Sequence, residues 1–131
     1  MTGLEFIMAA RAFPGERLLF PAAPAATLEI GRRIVNRELV GAAGANDAFL
    51  PGELVYAHAD VAGHGAGFVE HLWTHEGVEV ARHYMPIGED RRWQTWSRHK
   101  LEVGAYTVEL FGPDGRRIAM RNFFVGSPPL S

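Results

Sequence analysis

The dipeptide Glu76-Gly77 most limits how this chain folds. It lies between two runs, Phe68 to His75 and Val78 to Met85, in which apolar and polar residues alternate as they do in half-buried strands. A two-residue connection between such runs needs positive φ at its centre, which glycine supplies without steric cost. The chain therefore turns straight back and pairs the two runs. With Glu76 and Gly77 as the central turn residues, His75 faces Val78, and the ladder sets Trp73 opposite Val80, His71 opposite Arg82 and Val69 opposite Tyr84. These eight residues share one face, which Trp73 and the valines mark as the core side. Glu70, Leu72, Thr74, Glu79, Ala81 and His83 take the other, with Glu70 across from His83 as an opposite-charge pair when the imidazole is protonated.

Similar punctuation recurs along the chain. Leu28-Glu29-Ile30 opens a strand that Arg32 to Val40 continues or turns into the next connection, and Gly41 to Asp47 reads as loop. Pro51-Gly52 makes a turn before a strand from Leu54 to Val61, and the Gly-rich Ala62 to Gly67 segment reads as a hairpin loop. After Pro86 to Asp90 comes a Trp-bearing strand, then a connection near Lys100 to Gly104. Tyr106, Val108 and Leu110 alternate with Thr107, Glu109 and Phe111, and Pro113-Asp114-Gly115 turns the chain into a last strand from Arg117 to Val125. Short strands at intervals of about ten residues, without a long helix after residue 26, predict an all-β fold, an Ig-like antiparallel β-sandwich with an N-terminal extension.

The domain reading places an arm and Pro/Ala connector at residues 1–26, the sandwich at 27–125 and a Pro/Ser-rich tail at 126–131. In the arm, Leu4, Ile7, Met8 and Arg11 follow helical spacing until Pro14-Gly15 ends it. Leu4, Phe6, Ile7, Leu18, Leu19 and Phe20 are expected to pack on the domain behind them; the alternative is docking on a second subunit, which makes a homo-oligomer.

Composition narrows the function classes. At 131 residues, 47% apolar and 21% charged, the chain has the size and makeup of one ordinary globular domain. Its 13 basic and 15 acidic residues give a formal charge of −2, which supplies no basic footprint for nucleic acid. With no cysteine there is no disulfide, thiol nucleophile or thiolate metal site. No run reaches the roughly 20 apolar residues of a membrane-spanning helix. Ala22-Ala23-Pro24-Ala25-Ala26 imitates a signal-peptide cleavage site, but Glu5, Arg11, Pro14 and Arg17 interrupt the apolar segment that should precede it, which suggests a cytoplasmic location.

An ordered set of short motifs runs through the chain: Asn36-Arg37-Glu38-Leu39, His71-Leu72-Trp73, Trp93-Gln94-Thr95-Trp96-Ser97, Gly104-Ala105-Tyr106-Thr107-Val108, Asp114-Gly115 and Phe124-Val125. In order and spacing this set resembles the bacterial domain-of-unknown-function family 2914 over residues 27–125. Leu39 stands where relatives usually carry proline, and Tyr106 where they often carry tryptophan. The resemblance implies a small β-domain that in many relatives follows membrane segments or a signal sequence in cell-envelope proteins. It implies no established activity. Residues 1–26 lie outside it and hold no clear counterpart of those preceding segments.

The six histidines raise the question of a metal. His71 and His75 share a face but are about 13 Å apart along a strand, too far for one ion. His58 approaches His71 only if the register allows it, and Arg82 as a neighbour opposes a cation. No metal site and no other cofactor is expected. His71 reads as a core histidine that orients strands through hydrogen bonds, with its charged form disfavoured by burial and Arg82. Ser97, His99 and Asp90 have the residue types of a catalytic triad without the turn that exposes its nucleophile. Gly63-His64-Gly65-Ala66-Gly67 opens no helix and so lacks the terminus on which phosphate loops depend. No catalytic residue is assigned.

Two of the three tryptophans fall within four residues, at Trp93 and Trp96. Their odd spacing sends them to opposite faces of a regular strand, one to the core and one to the surface or an edge. A surface indole flanked by Arg91, Arg92 and Arg98 is suited to stack on a sugar ring, a planar ligand or a partner's side chain. The expected function is therefore a non-catalytic binding or scaffolding module for a protein partner or a glycan. The alternative is a small enzyme or ligand carrier whose pocket lies between the sheets at His71, Arg82 and Tyr84.

Overall fold

The computed structural model describes residues 8–12, 25–42, 49–89 and 92–126. Its strands are β1 (Met8–Ala12), β2 (Ala25–Val35), β3 (Glu38–Ala42), β4 (Leu54–Ala62), β5 (Gly67–His75), β6 (Val78–Ile87), β7 (Arg92–Lys100), β8 (Gly104–Phe111) and β9 (Arg117–Val125). They form two antiparallel sheets that face each other as a sandwich, five-stranded in the order β1-β7-β4-β2-β3 and four-stranded in the order β6-β5-β8-β9. Hairpins β2–β3, β5–β6 and β8–β9 stay within a sheet. The chain crosses between sheets after β4, β6 and β7. Residues 62–67 therefore bridge the two layers instead of closing the hairpin that the glycines suggested.

Two further expectations change. Met8–Ala12 is a strand, not part of a helix, because the outer edge of β7 offers unpaired backbone groups; the register runs from Met8 against Ser97 to Ala12 against Trp93. The rest of the expected arm helix lies outside the described residues. Residues 32–40, left open as strand or connection, divide into the end of β2, a turn at Asn36 and Arg37, and most of β3. Both turn residues have positive φ, 50° and 67°, as a two-residue hairpin requires. The segment read as loop from Gly41 starts as strand through Ala42, and residues 43–47 are outside the described part.

The core is made by alternate residues of facing strands. Leu28 and Ile30 of β2 and Val55, Ala57, Ala59 and Val61 of β4 turn inward against Val69 and Trp73 of β5 and Tyr106, Val108 and Leu110 of β8. Tyr106 stacks on Phe123, with ring centroids 5.3 Å apart, and Phe123 meets Phe49 and Trp73 edge-on. Such aromatic pairs add about 0.5–1.5 kcal/mol each beyond area burial. The Tyr106 hydroxyl accepts the Glu102 backbone N–H at 2.9 Å, four residues upstream at the start of β8. This is the tyrosine-corner arrangement, which fixes the chain where it crosses between sheets.

The β5–β6 register departs from a regular hairpin after its second pair. His75 faces Val78 and Thr74 faces Glu79, but Trp73 then faces Ala81, His71 faces His83 and Val69 faces Met85. Val80 is the extra residue of a β-bulge, and every later residue of β6 is displaced to the opposite face from that expected. Without the bulge, Arg82 would point into the core beside His71, an unpaired buried charge. With it, Met85 and Ile87 are buried while Arg82 and Tyr84 reach solvent. Glu70 consequently lies across from Tyr84 and pairs with Arg82, not with His83.

Candidate functional site

The motifs meet in the interior. His71 on β5 is fully buried; its Nδ1 lies 2.8 Å from Ser97 Oγ and its Nε2 2.8 Å from Thr95 Oγ1, both on β7 in the opposite sheet. Trp73 Nε1 donates to the same Ser97 oxygen at 2.9 Å. Alternation along β5 aims His71 and Trp73 inward, and alternation along β7 aims Thr95 and Ser97 back at them. Desolvation by burial, followed by the proximity of His83 and His58, lowers the His71 pKa to about 3. A neutral ring donates from one nitrogen and accepts at the other, so both contacts are satisfied without charge. This is the orienting role read from the sequence.

The set His71, Arg82 and Tyr84 does not form a pocket. His71 is inside, whereas the bulge carries Arg82 and Tyr84 to the outer face. Ser97 is engaged by His71 and Trp73 rather than by His99, which packs on Trp73 and Tyr106. Asp90 lies outside the described residues. His58 turns to the outer face of its sheet, away from His71. Among the described residues no group of three His, Asp or Glu side chains is placed to hold a metal ion, and no helix is long and apolar enough to cross a membrane.

Trp93 and Trp96 do take opposite faces. Trp93 packs against the core, close enough to Gly88 that a Cβ there would stand 3.0 Å from the indole. Trp96 lies on the outer face of the five-stranded sheet, half-buried, and stacks on His58 with centroids 6.2 Å apart. The tip of the β2–β3 hairpin folds over this face: His58 Nε2 donates to the Arg37 carbonyl at 2.7 Å, and Gln94 Nε2 donates to the Glu38 carboxylate at 3.1 Å. His58 is consequently 5% exposed and Gln94 1%, although both point away from the core. Arg92 reaches Asp60 on the same face, and Arg98 lies beside Tyr56. Arg91 is outside the described residues. The tryptophans thus do not share one contact surface, and Trp96 is half-buried against His58, which the protein's own hairpin holds.

The most exposed aromatic groups lie elsewhere, on the outer face of the four-stranded sheet. Among the described residues these are Phe68, 59% exposed, Phe124, 58%, and Tyr84, 53%; Phe124 stands apart on β9, whereas Phe68 and Tyr84 lie on the neighbouring strands β5 and β6. With Gly67, Glu70, Gly112, Pro113 and Gly115 they line a shallow groove of about 520 Å³. Gly67, with φ 145°, is required there, because a Cβ would meet Pro113 at 2.9 Å. Arg82 lies next to the groove, bonded to the lining Glu70 and to both oxygens of Glu79. The Glu79 hydrogen bond, then that of the Tyr84 side chain, hold the guanidinium proton more tightly than usual, and Arg82 in turn lowers the Glu79 pKa.

Sequence reasoning missed this groove because the bulge at Val80 is invisible to a count of alternating residues. One signal was available: an arginine and a tyrosine at consecutive even positions are poor core residues and good surface ones.

The model of a family described as protein of unknown function (DUF2914) matches residues 68–125, from β5 to the end of β9, in agreement with the resemblance drawn from the motifs. No curated protein matches the chain. The matched span contains His71, Trp73, Thr95, Ser97 and Tyr106, so much of the resemblance rests on side chains that join the sheets inside the sandwich.

Proposed function

We propose that this chain is a non-catalytic, Ig-like binding module that recognises a protein partner through the outer face of its four-stranded sheet. The observation that carries the reading is the exposure of Phe68 and Tyr84 together beside a groove, since contiguous apolar surface of this kind marks interaction sites and aromatic residues with arginine dominate their energetics. The Ig-like description draws on the sheet order, the crossovers after β4, β6 and β7, the buried Trp73 and the tyrosine corner. A protein is favoured over a glycan because only Glu70 and Tyr84 bring polar side chains to the groove. Sugar hydroxyls need more convergent donors and acceptors than that. The catalytic alternative loses its pocket, for its three residues lie on two sides of the sheet.

The test places a photo-crosslinking amino acid at position 68, 84 or 96 and exposes cells of the source organism to light. One protein species crosslinked from 68 and 84, and lost in Tyr84→Ala, supports the reading. Crosslinks only from 96 move the contact to the other sheet. Glycan-array binding that disappears in Tyr84→Ala replaces the protein partner with a glycan.

A further inference from the structure

The charges around the groove do not cancel. Among the described residues Glu109 pairs with Arg117 and Asp114 with Arg116, but Arg82 is shared between Glu70, which lines the groove, and Glu79, which lies beyond the lining, so this group carries one carboxylate in excess of its guanidinium. Glu70 itself lines the groove, two residues along β5 from Phe68 and directly across from Tyr84. Aromatic faces attract cations through their quadrupole, and a nearby excess carboxylate reinforces the same preference. The floor is kept low by Gly67, Gly112 and Gly115, so backbone as well as side chain can approach. A volume of about 520 Å³ suits a single long side chain with its adjoining backbone.

Resting on the protein-binding reading above, we propose that the groove takes a guanidinium or ammonium side chain of the partner, presented on an extended segment, with the rings of Phe68 and Tyr84 against it and the carboxylates of Glu70 and Glu79 offsetting its charge. The preference for a cation follows from the groove and the carboxylates beside it, not from the chain as a whole, whose net charge is only −2.

The test is an amide NMR titration of the intact chain with acetyl-Pro-Arg-Pro-amide and, separately, acetyl-Pro-Gln-Pro-amide, to about 10 mM so that weak binding registers. The expected result is saturable movement of the Gly67, Glu70, Gly112 and Gly115 amides with the arginine peptide. The glutamine peptide, Glu70→Gln and added salt should each weaken it about threefold or more. Equal titration by the two peptides overturns the selection for charge while leaving the contact face in place. No movement at the groove amides also overturns the cationic inference, and the crosslinking pattern from positions 68 and 84 then decides the broader reading independently. Shifts centred on Trp96 and Arg98 overturn both.

Discussion

The imidazole of His71, on the four-stranded sheet, and the hydroxyl of Ser97, on the five-stranded sheet, meet at 2.8 Å across the interior of the sandwich. Because Ser97 also accepts the Trp73 indole N–H, one small side chain satisfies two buried groups of the opposite sheet. Packing alone is non-directional; this contact fixes how the layers lie relative to each other.

Ser97→Ala should therefore cost more than the loss of a hydroxyl. It leaves the Trp73 N–H and one His71 nitrogen without partners, at about 1–3 kcal/mol for each orphaned group, so a total of about 2–6 kcal/mol is expected. Urea unfolding at unchanged m-value measures it. A change within about 0.5 kcal/mol would sink the pinning role.

Stability should also fall on acidification in a window set by His71. Its folded pKa of about 3 lies below the ordinary 6.5, so the unfolded chain binds the extra proton between those values. The contribution is complete above about pH 6.5 and is lost progressively as the pH falls toward 3, to a total of roughly 5 kcal/mol. His83 and His99, each lowered chiefly by desolvation, act in the same direction. Unfolding free energies between pH 7 and 4, together with the His71 ring signals, test this; an imidazole that titrates near 6 would refute it.

Tyr106→Phe keeps the aromatic cluster and removes only the acceptor for the Glu102 N–H. The expected loss is about 1–2 kcal/mol, with faster amide exchange at Glu102. Unchanged exchange there would mean that the corner does not hold the crossing.

Gly31→Ala probes the folded-over hairpin. The new Cβ would stand 2.7 Å from Leu39, on the segment whose tip reaches His58 and Gln94. A cost of about 1–3 kcal/mol is expected, with Trp96 becoming more open to iodide quenching. Trimming Leu39 to alanine in the same chain should recover part of the loss. Quenching that stays as in the parent would show that the hairpin does not depend on this close approach.

Much of the architecture was legible in local chemistry. The Glu76-Gly77 and Pro113-Asp114-Gly115 turns lie where expected; Glu76 adopts φ 52° and Gly115 φ 84°. The last strand spans Arg117–Val125 as read. These features depend on a few neighbouring residues. The opposite facing of Trp93 and Trp96 was legible for the same reason, since alternation is a local property of a strand.

The candidate site was less accessible. Its location turns on Val80, whose side chain gives no local sign that it will be the unpaired residue of a bulge. Likewise Trp96 reads as a surface indole until His58 of β4 is seen to stack on it, held in turn by the tip of the β2–β3 hairpin. The edge strand Met8–Ala12 forms because β7 has a free side, a fact about the sheet rather than about that segment.

By itself, then, the order of residues determined the strands, most of the turns and a polar histidine destined for the interior, because backbone sterics and the two-residue period act over short range. Only the tertiary arrangement decided which sheet each strand joins, which side of β6 faces water and which aromatic groups a partner can reach. Those outcomes come from the competing demands of distant segments, above all the cost of burying Arg82 against the gain from burying Met85 and Ile87.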